Sequence, residues 1–126
     1  MWNPFRRGKA SESPAHGKWP PIQDLDSIDL IGERKDGGVD LVIVASQPLD
    51  DSADTCDSIR AKVSCYLTAI GSEAFQMEYG HPPREKTSII LVCDHPIYAN
   101  ASAVIEECKT VAAEQGTRFE LRRSMR

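Results

Sequence analysis

The chain has 126 residues, 40% hydrophobic and 27% charged, which suits one folded domain around one core and argues against wholesale disorder. Its net charge of −4 is unevenly spread: residues 1–20 sum to +3 and residues 21–126 to −7, and residues 24–57 set ten acids against Arg34 and Lys35 alone. A body of that sign repels phosphate, which excludes nucleic acid as the expected partner, and no apolar run approaches the roughly 20 residues that a membrane helix needs.

Residues 1–21 contain Pro4, Pro14, Pro20 and Pro21 with Gly8 and Gly17, and their apolar residues follow no period. They read as a flexible N-terminal tail ahead of a single domain over residues 22–126. Arg6 and Arg7 precede no hydrophobic stretch, so an export signal is not expected and the cytoplasm is the expected location. Trp2, Phe5 and Trp19 are the tail's aromatic residues. Trp19 precedes two prolines, which favours an extended backbone that rests on the domain or docks elsewhere.

Ile28 to Ile31 reads as a short strand. Asp36-Gly37-Gly38 is a hairpin turn signal, and Val39 to Ala45, apolar on both faces except at Asp40, reads as an interior strand paired antiparallel to the first. Asp50, Asp51, Ser52 and Asp54 offer side-chain oxygens to the open N–H groups of a helix start. Cys56, Ile59, Val63, Tyr66, Leu67 and Ile70 then fall on one helical stripe that stops at Gly71. Cys65 lies roughly opposite that stripe and is the thiol expected to be most exposed.

Phe75, Met77 and Tyr79 alternate, which fits a short strand or an irregular flap before Gly80, Pro82 and Pro83. Thr87 to Cys93 is a second buried strand. A second helix is expected from a cap at Asn100 or Ser102, with Val104, Ile105, Cys108, Val111 and Ala112 on its apolar face and Gly116 as its stop. Thr117 to Arg123 alternates as a half-exposed edge strand, Phe119 and Leu121 to one side and Arg118, Glu120 and Arg122 to the other. The expected class is α+β: a two-layer, four-stranded mixed sheet in the order β-β-α-β-α-β, covered by two amphipathic helices, with no internal repeat.

The run Asp26-Ser27-Ile28-Asp29-Leu30-Ile31-Gly32, followed by Gly38-Val39-Asp40-Leu41-Val42-Ile43, Leu49-Asp50-Asp51 and the helical Ile59-x-x-Lys62-x-x-x-Tyr66-Leu67, resembles a family of small bacterial proteins of unknown function. The likeness covers residues 22–121. It departs at Ala45-Ser46-Gln47-Pro48-Leu49, where the family often carries an aspartate and an aromatic residue. The resemblance implies a bacterial origin and the domain limits, and it implies no activity.

Motifs of chemistry are sparse. Asp50, Asp51, Asp54 and Asp57 lack the alternating spacing and the glycine of a calcium loop, so capping explains them better than a metal does. The cysteines at 56, 65, 93 and 108 have no C-x-x-C pair and no histidines at zinc spacing, so free thiols are expected. In Cys93-Asp94-His95 the thiol and imidazole share a strand face about 7 Å apart, too far for direct activation unless the chain turns. His16, His81 and Ser46 sit in no catalytic pattern, and the glycines match no phosphate loop. No cofactor is expected. If the two buried strands are parallel neighbours, Ser46, Gln47, Asp94, His95 and Tyr98 gather at one sheet edge, where open α/β sheets often bind ligands.

Two readings follow. The first is a non-enzymatic protein-interaction domain that presents Asp50, Asp51, Asp54 and Asp57 to a basic protein partner, with an immunity-type role as one form of it. The alternative is a small-ligand-binding protein or enzyme using the strand edge near Asp94 and His95. The sequence leaves oligomeric state open.

Overall fold

A computed structural model describes Ile22, Leu25 and residues 28–123. The tail expected over residues 1–21 lies outside the described residues. The elements are β1 (Leu30–Glu33), β2 (Val39–Ala45), α1 (Ala53–Ile70), a short α2 (Glu73–Glu78), β3 (Thr87–Cys93), α3 (Ala99–Glu114) and β4 (Arg118–Arg122), with a 3₁₀ turn at Arg84–Lys86. The sheet order is β1-β2-β3-β4. β1 runs antiparallel to β2, and β2, β3 and β4 are mutually parallel, so the α+β, mixed-sheet expectation holds.

The hairpin joining β1 to β2 closes where Asp36-Gly37-Gly38 places it. Gly37 has φ +87°, a left-handed conformation that glycine adopts without steric cost. The Asp36 carboxylate accepts the Gly38 N–H, and Arg34 pins the turn through Asp36, Asp40 and the Lys86 carbonyl. Those contacts hold the Asp36 carboxyl below its usual range, the Gly38 N–H foremost.

Side chains alternate across each strand. Val39, Leu41, Ile43 and Ala45 of β2, Ile89, Leu91 and Cys93 of β3, and Phe119 of β4 share one core with Cys56, Ile59, Val63, Tyr66, Leu67 and Ile70 of α1 and Ala101, Val104, Ile105, Cys108 and Ala112 of α3. Both long helices therefore cover the same face. Each fully buried aliphatic or aromatic side chain there contributes about 1.5–3 kcal/mol. Val42, Ile90 and Val92 form a separate cluster on the opposite face.

Four details differ from expectation. The first strand begins at Leu30, two residues later than its apolar run. Phe75, Met77 and Tyr79 lie on or next to α2, capped by Ser72; Phe75 packs against Tyr79, an i,i+4 pair with centroids 5.0 Å apart. The second long helix begins at Ala99 after Tyr98, which supplies no side-chain cap. Val111, expected in the core, is exposed at the seam between α1 and α3.

Candidate functional site

The parallel register pairs Ala45 with Cys93, so the loops after β2 and β3 leave the sheet side by side. Ser46, Gln47, Asp94, His95 and Tyr98 therefore do stand at one edge. The two loops are themselves zipped together. Leu49 N–H donates to the Pro96 carbonyl at 3.0 Å, Tyr98 N–H donates to the Leu49 carbonyl at 2.8 Å, and Leu49 is 0% exposed. Leu49 is thus buried where the two loops pair, and Ser46, Asp94 and Tyr98 are exposed.

Cys93 is buried, and its thiol donates to the His95 carbonyl at 3.4 Å. The same carbonyl accepts from Arg123 at 2.8 Å, which ties down the end of β4. The chain turns after β3, and the turn brings the Cys93 thiol to a main-chain oxygen. Activation of a thiol needs a base in that place.

Each acid of the Asp50–Asp57 group has a local role. Asp50 accepts from both the N–H and the hydroxyl of Ser52, which in turn caps α1 by accepting the Thr55 N–H at 3.1 Å. Asp51 reaches across and accepts the Asn100 N–H at 2.8 Å, so the cap missing from the sequence of α3 comes from the neighbouring loop. Asp54 sits in the first turn of α1, where the dipole favours it. Asp57 pairs with Arg60, which also bridges to Glu107 on α3 at 2.9 Å. That bridge holds the Glu107 carboxyl down and the Arg60 guanidinium up, through their shared hydrogen bond. All four aspartates remain exposed. Asp51→Ala should cost about 1 kcal/mol, the usual value of an N-cap, read from the urea midpoint.

Between the N-terminal halves of the two helices lies a depression of about 420 Å³. Asp51, Asp57 and Glu107 stand on its walls, with Cys56 and Val104 among its apolar lining and Arg60 beside them. Among the described residues, no group of three or more histidine, cysteine or acidic side chains is placed to hold a metal ion.

The most distinctive polar arrangement is one the sequence reading left unassigned. Lys62 is 0% exposed, and its ammonium donates to Asp29 Oδ1 at 2.9 Å. The other oxygen of Asp29 accepts the Val44 N–H at 3.0 Å. The Tyr66 hydroxyl accepts the Asp29 N–H at 2.8 Å and donates to the Val42 carbonyl at 2.7 Å. Lys62 Nζ also lies 5.7 Å from the Tyr66 ring centroid, within cation–π range. Burial, and then the Asp29 carboxylate, push the Tyr66 phenol far above its usual range. The network replaces β1 beside the second half of β2, which is why β1 starts late. Lys62 and Tyr66 are one helical turn apart, and Asp29, Lys62 and Tyr66 are three of the polar positions in the motif quoted above.

All four cysteines are free: Cys56, Cys93 and Cys108 are buried, and Cys65 is partly exposed. Burial pushes the Cys108 thiol up to about 11. One thiol should react quickly with a disulfide reagent in the native protein. Cys65→Ser should remove that fast phase and leave the three slow ones; a fast phase surviving in that variant would contradict the assignment.

A family model described as a family of unknown function, DUF6572, matches residues 21–125, and the chain belongs to that family. No curated protein and no solved structure matches the chain. Among the described residues, no helix is long and apolar enough to cross a membrane.

Proposed function

We propose that this member of the DUF6572 family works as a protein-interaction domain, binding a basic partner through the end of the molecule where α1 and α3 begin. The depression between those helices carries the reading: carboxylates on its walls and an apolar lining suit a lysine or arginine side chain, whose aliphatic stem packs while its charge pairs. Ten acids against two bases in residues 24–57 add a long-range field that speeds encounter with a cationic surface. The loop zipper supports this reading over a small-ligand site at Asp94 and His95, because the two loops there are hydrogen-bonded to each other about a fully buried Leu49. An immunity-type role, neutralising a basic toxin, is the form of this function that the charge suits best.

The test is affinity capture from native lysate with the full chain as bait, comparing the wild type with the pair Asp54→Lys and Asp57→Lys. These positions are exposed, so folding should be retained and checked by circular dichroism. The expected result is a basic partner held by the wild type, released by added salt and lost with the reversed charges. A partner captured equally by both, or one that is itself acidic, would remove the reading.

A further inference from the structure

We infer that the chain's own N-terminal segment, residues 1–20, covers the sheet face opposite α1 and α3, with its aromatic side chains over Val42, Ile90 and Val92. This face lies across the sheet from the depression between the two helices, so the inference stands independently of the partner proposed above.

Burial points to a cover. Val42, Ile90 and Val92 are 4%, 2% and 8% exposed, and they form a cluster apart from the core under the helices. The buried apolar side chains of α1, α2 and α3 all belong to that other core, so among the described residues no helix lies over this one. Neighbours within a sheet stand roughly perpendicular to it and shield one another's flanks rather than their tips. Val44 makes the contrast: it pairs with Val92 in the parallel register, on the same face, yet is 39% exposed. The cover therefore lies over the middle of the sheet and stops short of that corner. Three of the four strands are parallel, and parallel sheets are ordinarily covered on both faces.

The sequence selects the occupant. The burial is that of a single chain, so the cover belongs to the chain itself. Outside the described residues, positions 23, 24, 26 and 27 are polar, and positions 124–126 offer Met125 alone. Residues 1–20 hold Trp2, Phe5 and Trp19, whose rings carry the apolar area that such a patch needs. Reach is not limiting. An extended chain spans about 3.3–3.6 Å per residue, so Trp19 stands within roughly 10 Å of the buried Ile22 and Phe5 within roughly 60 Å, against a radius of gyration of about 13 Å for such a domain.

Charge favours a different place. Residues 1–20 carry +3, which draws them toward the acidic helix ends. Exposed ion pairs gain little and are screened by salt, whereas burying three rings removes a large apolar area from water. The apolar face therefore wins.

Tryptophan emission tests this in the full chain, because both tryptophans lie in the segment. In dilute monomer the native emission should be blue-shifted from that of the urea-unfolded chain, and added salt should leave it so. Val92→Lys should shift it to the red with native circular dichroism retained. Val111→Lys, on the helix side, should leave it unchanged, as should Asp54→Lys with Asp57→Lys. Replacing Trp2, Phe5 and Trp19 together by serine should raise the binding of a dye that reports exposed apolar surface. That triple variant decides the matter should Val92→Lys fail to fold. Native emission equal to that of the unfolded chain overturns the inference. So does a blue shift that salt or the reversed charges abolish, which would place the segment on the acidic helix ends. A blue shift that appears only at high concentration, which would mean a second copy, overturns it as well. A folded Val92→Lys with wild-type emission, or a triple variant that binds no more dye than wild type, does the same.

Discussion

Replacing Asp29 with alanine is expected to lower the unfolding free energy by about 3–5 kcal/mol, the cost of removing one partner of a buried ion pair. Lys62 cannot turn to water, because it is 0% exposed under the helix that carries it. Losing Asp29 therefore removes a carboxylate from beside a buried ammonium and also deprives the Val44 N–H of its acceptor. Lys62→Met should cost less. It removes the buried charge together with its desolvation penalty, and it leaves Asp29, whose side chain is 16% exposed, still bound to Val44. The ordering is the diagnostic part, because a pair valued only for its Coulomb attraction would lose the same amount from either side. Against a domain stability of about 5–15 kcal/mol, the Asp29 variant should be visibly less stable in urea at room temperature. In the double variant, Lys62→Met should recover much of what Asp29→Ala loses, because no ammonium then remains buried without the Asp29 carboxylate. An Asp29→Ala midpoint close to wild type, or a larger loss from Lys62→Met, would show that the pair does not hold the structure in this way.

The frame of the fold is legible wherever one local signal dominates. Val39–Ala45 and Thr87–Cys93 are runs of β-branched and aliphatic residues too short for a helix, and both are strands with the expected limits. Asp36-Gly37-Gly38 is legible because a left-handed backbone at Gly37 needs glycine. The segment around Phe75 misleads because three alternating rings or thioethers match a period of two, whereas Ser72 as a cap and the i,i+4 contact of Phe75 with Tyr79 make it helical. The Asp29 network was legible only in outline. A lysine between Ile59 and Tyr66 on an apolar stripe is an anomaly the helical period exposes. Its partner, 33 residues earlier in sequence, follows from nothing local. For the same reason the trans cap of α3 by Asp51 was hidden: the parallel neighbours β2 and β3 bring Asp51 and Asn100 together, and only tertiary structure supplies that contact.

Tyr66→Phe should cost about 2–4 kcal/mol, because the lost hydroxyl satisfies one buried and one partly buried backbone group and each stranded group costs about 1–3 kcal/mol. The Asp29 N–H lies just beyond the last β1–β2 pair, Leu30 with Val42, and the phenol oxygen is spliced between it and the Val42 carbonyl. The same burial gives the loss a pH signature. In the unfolded chain a tyrosine releases its proton near a pH of about 10, while Tyr66 in the fold keeps its proton well beyond that. Above that pH the unfolded state binds fewer protons than the native one, so wild-type stability falls as pH rises, by about 1.4 kcal/mol per unit from Tyr66 alone. Cys108 contributes a similar loss, beginning at its ordinary value near 9 and complete by about 11, and the phenylalanine variant retains it. Urea denaturation of both proteins at rising pH separates the two contributions. The gap between wild type and Tyr66→Phe should be constant at neutral pH, begin to close near pH 10 and be largely gone about two units higher, as the wild type loses what the variant never had. A gap that stays constant across that window would mean that the Tyr66 hydroxyl reaches water in the native state, and the seal between Asp29 and Val42 would have to be abandoned.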